Sequence, residues 1–250
     1  MPDAKRRPFA RRPTRIAAHF LVFASVLASG LLRAGPPPAT IKGKIVGWDK
    51  LLPQIYADAA KSDSRHYNWR EPSPTVKQDF RRLSANVSRD VCVAAFSGAS
   101  PQAHEPLAVK VTGGRMTPAT VVLSPGSRLS FRNVDPFSHV LYEAGNDKWA
   151  PNQTGPGSTR EWAASAPGVH EIRDQLFPSI VMYVVVDPGM VEFAYPDRDG
   201  VFSMTLPQGE YTFKAFFDGK QVGKEASVMR VGDRGLFELR EPLVVGGDSK

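Results

Sequence analysis

The side chains this chain offers for chemistry are few: a single cysteine, five histidines and scattered carboxylates. Cys92 lies in Asp90-Val91-Cys92-Val93-Ala94-Ala95-Phe96, an apolar run that reads as a strand. A thiol so surrounded packs as a small hydrophobe, and with no second cysteine no intramolecular disulfide forms. His66, His104 and His170 have no acid or nucleophile beside them in a recognised pattern. Neither a Gly-x-Ser-x-Gly elbow nor a His-Glu-x-x-His pair occurs, so the chain reads as a non-enzyme. Asp197-Arg198-Asp199-Gly200 opens like a calcium loop but lacks the further carboxylates and the closing Glu. It reads as a plain hairpin turn. Asn86-Val87-Ser88 and Asn152-Gln153-Thr154 are sequons of the kind that recur by chance. His139, in Pro136-Phe137-Ser138-His139, takes its meaning from the segment around it.

The elements that must position such groups begin after a leader. Lys5, Arg6, Arg7, Arg11, Arg12 and Arg15 precede an uncharged run from Ile16 to Leu32. A basic region followed by a short apolar one is the order of a secretory signal. Small residues at Ala28-Ser29-Gly30 place cleavage before Leu31, with Ala34 as a second site. The run is short for a membrane span, and His19, Ser25, Ser29 and Gly30 weaken it, so no stable span is expected after cleavage. The formal charge of +7 lies mainly in this leader, and its removal leaves +2. A nucleic-acid partner is therefore not expected. The address is periplasmic or extracellular.

Beyond the leader, Gly35-Pro36-Pro37-Pro38 forms a spacer, and Ile41–Trp48 alternates in strand fashion. Val76, Phe80 and Leu83 fall at helical spacing and predict a short helix over Thr75–Leu83. From Asp90 onward short β-rich runs are separated by Gly, Pro, Asn and Asp. They are 107–112, 119–123, 128–132, 140–142, 160–163, 169–173 and 181–186, then 191–195, 201–205, 211–217, 225–231 and 236–239. This spacing predicts sandwiches or a barrel.

The stretch Thr117-Pro118 through Asn133-Val134-Asp135 has a Pro, an apolar strand, Gly126 before a second strand, and Phe131-x-Asn133-x-Asp135. With His139 following, residues 109–187 resemble the cupredoxins, the fold of plastocyanin, and most closely the exported bacterial members with a Cys-x-x-His-Pro-x-Met ligand loop. The resemblance implies a Greek-key sandwich and makes His139 the counterpart of the first copper ligand. It also shows what has changed. Asp174 stands at the Cys position, Phe177 at the second His and Ile180 at the Met. A blue-copper site needs a thiolate and two imidazoles, so no metal is expected. His139 and Asp174 are the remnant, with copper at an altered site around His139 as the alternative reading. His170, four residues before Asp174 on a strand, shares its face at roughly 13 Å. Met182 falls on the last strand. Phe177 and Ile180, being apolar, fill the former site.

Asp197-Arg198-Asp199-Gly200-Val201-Phe202 and Leu206-Pro207-Gln208-Gly209-Glu210-Tyr211 resemble the carboxypeptidase-regulatory, or transthyretin-like, β-sandwich. Asp199-Gly200 and Gln208-Gly209 turn the chain, while Phe202 and Tyr211 pack inward. The expected organisation is a signal peptide (1–30), an extension with strands and a short helix (31–105), a cupredoxin-like domain (106–187) and the second sandwich module (188–250). The expected fold is all-β. The expected function is non-catalytic, binding or assembly in the cell envelope, the partner being an envelope protein or a glycan. Trp149, Trp162, Tyr142 and Phe137, near the old site, are read as core rather than contact surface.

Overall fold

β-Branched and aromatic residues in runs of two to twelve, punctuated by Gly and Pro, form seventeen strands among the described residues. In the computed structural model, residues 38–54, 85–98, 105–232 and 235–246 are described. All fall within one compact unit, Gly35–Lys250. The leader and the expected helix over Thr75–Leu83 lie outside the described residues. No helix of the described residues is long and apolar enough to cross a membrane. The fold is all-β.

The first strand is β1 (Ala39–Val46); a one-turn helix α1 (Val87–Asp90) leads into β2 (Val91–Phe96). Then follow β3 (Leu107–Thr112), β4 (Arg115–Thr117), β5 (Thr120–Leu123), β6 (Arg128–Asn133), β7 (His139–Glu143) and β8 (Asn152–Thr154). Next come β9 (Thr159–Ala163), β10 (Gly168–Asp174), β11 (Val181–Val186) and β12 (Met190–Ala194). The last are β13 (Val201–Leu206), β14 (Gly209–Phe217), β15 (Lys220–Val231), β16 (Leu236–Glu238) and β17 (Leu243–Val244).

The central segment makes two sheets, β4-β3-β6-β9 and β5-β11-β10-β7-β8. The pairs β3–β6 and β5–β11 are parallel and their other pairings antiparallel. Alternate residues point inward: Val109 and Val111, Leu129 and Phe131, Leu141, Trp162, Ile172, and Met182 and Val184 join one core. Burying each such side chain contributes about 1.5–3 kcal/mol, so strict alternation fixes which way the strands face.

A third and a fourth sheet, β12-β2-β14-β15 and β13-β1-β16, complete the structure, with β17 also pairing with β1. Here the pairings join segments that the sequence had divided at 105 and 187. β1 lies against β13, and β2 lies between β12 and β14, so two strands of the N-terminal extension complete the C-terminal sheets. β2 explains itself by burial. Cys92 and Ala94 face the first core, while Val91, Val93 and Ala95 face a second that includes Phe202, Phe213 and Tyr211. A strand buried on both sides needs a continuous apolar run, which Val-Cys-Val-Ala-Ala supplies. The β14–β15 turn carries positive φ at Asp218 (47°) and Gly219 (74°), the geometry of a two-residue hairpin. At the Asp197–Gly200 turn the Asp197 carboxylate accepts the Asp199 and Val201 amides, each at 2.9 Å. One of its oxygens is spent on the backbone.

Candidate functional site

His139 opens β7 and Asp174 closes β10. The register sets Asp174 opposite Leu141, so His139 is its diagonal neighbour on the inward face. Both side chains are completely buried, and His139 Nδ1 lies 2.5 Å from Asp174 Oδ2. The other Asp174 oxygen accepts the amides of Leu176 (2.8 Å), Phe177 (3.2 Å) and Val140 (3.4 Å). Asp174 thus shapes the loop into β11 as an Asx turn while holding the imidazole.

The opposite ring nitrogen meets a second carboxylate, with His139 Nε2 3.2 Å from Asp135 Oδ2. Asp135 also accepts the Gly113 amide at 3.0 Å and the Thr112 hydroxyl at 3.1 Å. It is held in turn by the fully buried Asn133, whose side-chain oxygen accepts the Asp135 amide at 2.9 Å. The Asn133 side-chain NH2 donates to the Phe137 and Thr154 carbonyls. Burial pushes the Asp135 carboxyl up, but the Gly113 amide, the Thr112 hydroxyl and His139 outweigh it, and its pKa lies below the ordinary value. Carboxylates accept only, so both contacts are hydrogen bonds when each ring nitrogen carries its proton. The result is a polar bridge from the β3–β4 turn through Asp135, His139 and Asp174 to the β10–β11 loop. It ties one sheet of the sandwich to the other.

Aromatic rings close this end. Phe177 stands 5.3 Å from the His139 ring and Phe137 5.2 Å, centroid to centroid, with the two phenyls 5.1 Å apart. Phe137 is 44% exposed, so of the four aromatics read as core it faces outward. Trp162 is buried, Trp149 packs on the core, and Tyr142 is half-buried. Ile180 and Met182 are fully buried in the core.

A second cluster corrects the reading that His170 has no acid beside it. Its Nδ1 lies 2.6 Å from Glu143 Oε1, and its Nε2 lies 2.9 Å from the Ala166 carbonyl. Glu143 is buried, and its other oxygen accepts Trp162 Nε1 and Asn146 Nδ2, each at 2.7 Å. Burial raises the Glu143 pKa, yet the bonds from Trp162, His170 and Asn146 prevail and hold it below the ordinary value. The cluster pins β7, β9 and β10 together.

These geometries limit the chemistry. His139 is sealed from solvent, and among the described residues no nucleophile lies beside it. Burial pushes the Cys92 thiol up to about 12 in the core beside Tyr195, so no thiolate is on hand. Among the described residues no three His, Cys, Asp or Glu side chains converge as a metal ligand set. Asp135 and Asp174 sit at opposite ring nitrogens, and one ion at His139 cannot use both. The residues present do not fit the copper that the cupredoxin resemblance implies, because Asp174, read at the Cys position, is a carboxylate engaged in four contacts and Phe177, read at the second His, offers only a phenyl ring. The sequence pointed to His139 and Asp174, which the structure brings together, but missed Asp135 and Glu143. Asp135 stood in the quoted Phe-x-Asn-x-Asp signature, four residues before His139. Glu143 gave no local signal, since only the β7–β10 register, Ile172 opposite Glu143, brings it near His170.

No protein-family model matches the chain, and no curated protein matches it. Among solved structures it is similar to a reduced amicyanin variant, at 15% identity and a TM-score of 0.31 over 38% of this chain and 99% of that one. A copper-containing nitrite reductase from Thermus scotoductus matches at 18% identity and a TM-score of 0.30, over 36% of this chain and 24% of the reductase. A purple cupredoxin from Nitrosopumilus maritimus matches at 18% identity and a TM-score of 0.28, covering 32% of this chain and 99% of its own. The chemistry of this chain is read from its own residues.

Proposed function

We propose that this chain is a non-catalytic, exported β-sandwich protein of the cell envelope with a binding or assembly role. In this reading its central unit is a cupredoxin-like sandwich whose copper site has become a structural bridge. The observation that carries it is the fully buried His139, engaged by Asp174 on one ring nitrogen and Asp135 on the other. The apolar Phe177 and Ile180 at two former ligand positions support a filled interior. The Asp197–Tyr211 signatures support a carboxypeptidase-regulatory-like second sandwich, and the basic-then-apolar leader supports export. The partner in this reading is an envelope protein or a glycan.

Titrating the purified protein with Cu(II) tests the first half. The reading requires no stoichiometric heat and no charge-transfer band. One-to-one binding abolished in His139→Ala would install copper handling or electron transfer instead. Affinity capture from an envelope extract tests the second half, the expected result being a specific, saturable partner. If the only saturable interactor is a soluble substrate that the protein turns over, the non-catalytic reading fails.

A further inference from the structure

The outward face of the sheet β4-β3-β6-β9 collects cations. The register sets Lys110 directly beside Arg132, and Arg115 sits diagonally from Lys110, across from Thr112. Arg128 lies two inward–outward repeats back along β6. All four side chains belong to exposed residues. Among the described residues Arg128 has an ion pair, a 3.5 Å contact with the exposed Glu161 on β9, and the other three have none. Like charges on neighbouring strands repel and cost stability unless an anion intervenes. Across the described residues Lys and Arg nearly balance Asp and Glu, so this concentration is local rather than a reflection of overall charge.

Apart from Glu161, which Arg128 engages, the rest of the face is low: Ala108, Thr112, Thr117, Ser130, Thr159 and Ala163 are all short. Among the described residues the outward positions of these four strands carry no aromatic ring on which a sugar or a base would stack. Long cationic arms standing on a flat floor of short side chains fit a plane of negative headgroups. We infer that this face docks on an anionic phospholipid surface through Lys110, Arg115 and Arg132. The attachment is mainly electrostatic; beside Arg132 the half-exposed Val134, just past β6, adds one small apolar contact.

Each such cation near an anionic leaflet contributes roughly a fivefold factor in affinity. Co-sedimentation of the full chain with phosphatidylglycerol–phosphatidylcholine vesicles therefore gives a numerical test. Lys110→Gln with Arg132→Gln should weaken binding by about 25-fold. Lys42→Gln with Lys44→Gln, exposed on β1 of another sheet and equal in net charge, should leave it nearly unchanged. Raising salt to several hundred millimolar should release the protein. Orientation supplies a second readout that other basic segments of the chain do not mimic. A fluorescent label at Thr159→Cys should be quenched by headgroup quenchers, while one at Ser203→Cys should not; buried Cys92 stays unlabelled. Equal losses in the two glutamine pairs, or equal quenching at the two labels, would overturn the inference. So would binding to a soluble polyphosphate through Lys110 and Arg132 with none to vesicles.

Discussion

Removing Asp174 should cost far more than one surface contact, because it strands a buried imidazole. In Asp174→Ala, His139 loses the 2.5 Å partner of a side chain with no solvent exposure, and the β10–β11 loop loses an acceptor for three amides. Breaking one side of a buried pair typically costs about 3–5 kcal/mol. The exposed Leu176 amide finds water instead, so the loop adds little beyond that figure. With a urea dependence of about 3 kcal/mol/M for a chain of this size, the unfolding midpoint should fall by about 1–1.7 M. Asp174→Asn keeps an oxygen for the amides and should fall between the two. The cycle with His139→Ala separates the bridge from its surroundings. The double variant leaves no unpaired charge at that nitrogen, so its loss should undercut the sum of the singles by about 2 kcal/mol. Near-neutral midpoints read by both fluorescence and circular dichroism would show whether the transition is shared by the two cores. Single losses under about 1 kcal/mol, or additivity within about 0.5 kcal/mol, would refute the bridge.

Three other outcomes follow from the same geometry. Glu143→Gln should destabilise by about 2–3 kcal/mol near neutrality, since three side-chain donors meet this carboxylate. The folded carboxyl titrates below the ordinary value near about 4.3, so its stabilisation is present above that pH and lost as pH falls through the lower folded value. Urea midpoints from pH 6 to pH 2 should therefore converge for wild type and variant, and a constant gap would count against the assignment. Cys92, buried with its thiol pushed up to about 12, should react with aromatic disulfide reagents only as fast as the chain unfolds. Rapid labelling of the native protein would contradict the double-sided burial of β2. Gly200→Ala places a Cβ 2.5 Å from the Ile45 carbonyl oxygen and 2.6 Å from the Trp48 ring at φ +79°, and should cost about 2–4 kcal/mol in chemical denaturation. A wild-type midpoint would mean that the Asp197–Gly200 turn is not held as described.

Much of the local structure was readable because it depends on local pattern. The run Thr120–Leu123 between Pro118 and Gly126 is strand β5, and Val181–Val186 is strand β11 with the bounds expected. Phe202 and Tyr211 are both nearly fully buried, as alternation along their strands required. His139 and Asp174 were found together because each occupies a position in a motif rather than because of spacing between them. The unread parts depend on long-range register. Nothing around Ile41 or Val93 says that β1 lies against β13 or that β2 enters between β12 and β14. The same holds for Glu143 and His170, 27 residues apart and joined only through the β7–β10 ladder. Asp135 was in view but uninterpreted, since its partners Gly113 and Thr112 lie on a hairpin tip more than twenty residues earlier.

His139 is engaged by a carboxylate at each ring nitrogen, which leaves neither for a metal. Long-range proton–nitrogen NMR of the imidazole side chains reads this directly. A slowly exchanging His139 ring proton, with both ring nitrogens unbroadened by one equivalent of Cu(II), is the result expected from the 2.5 Å and 3.2 Å contacts. A His139 nitrogen without a proton that broadens stoichiometrically with copper would contradict the account.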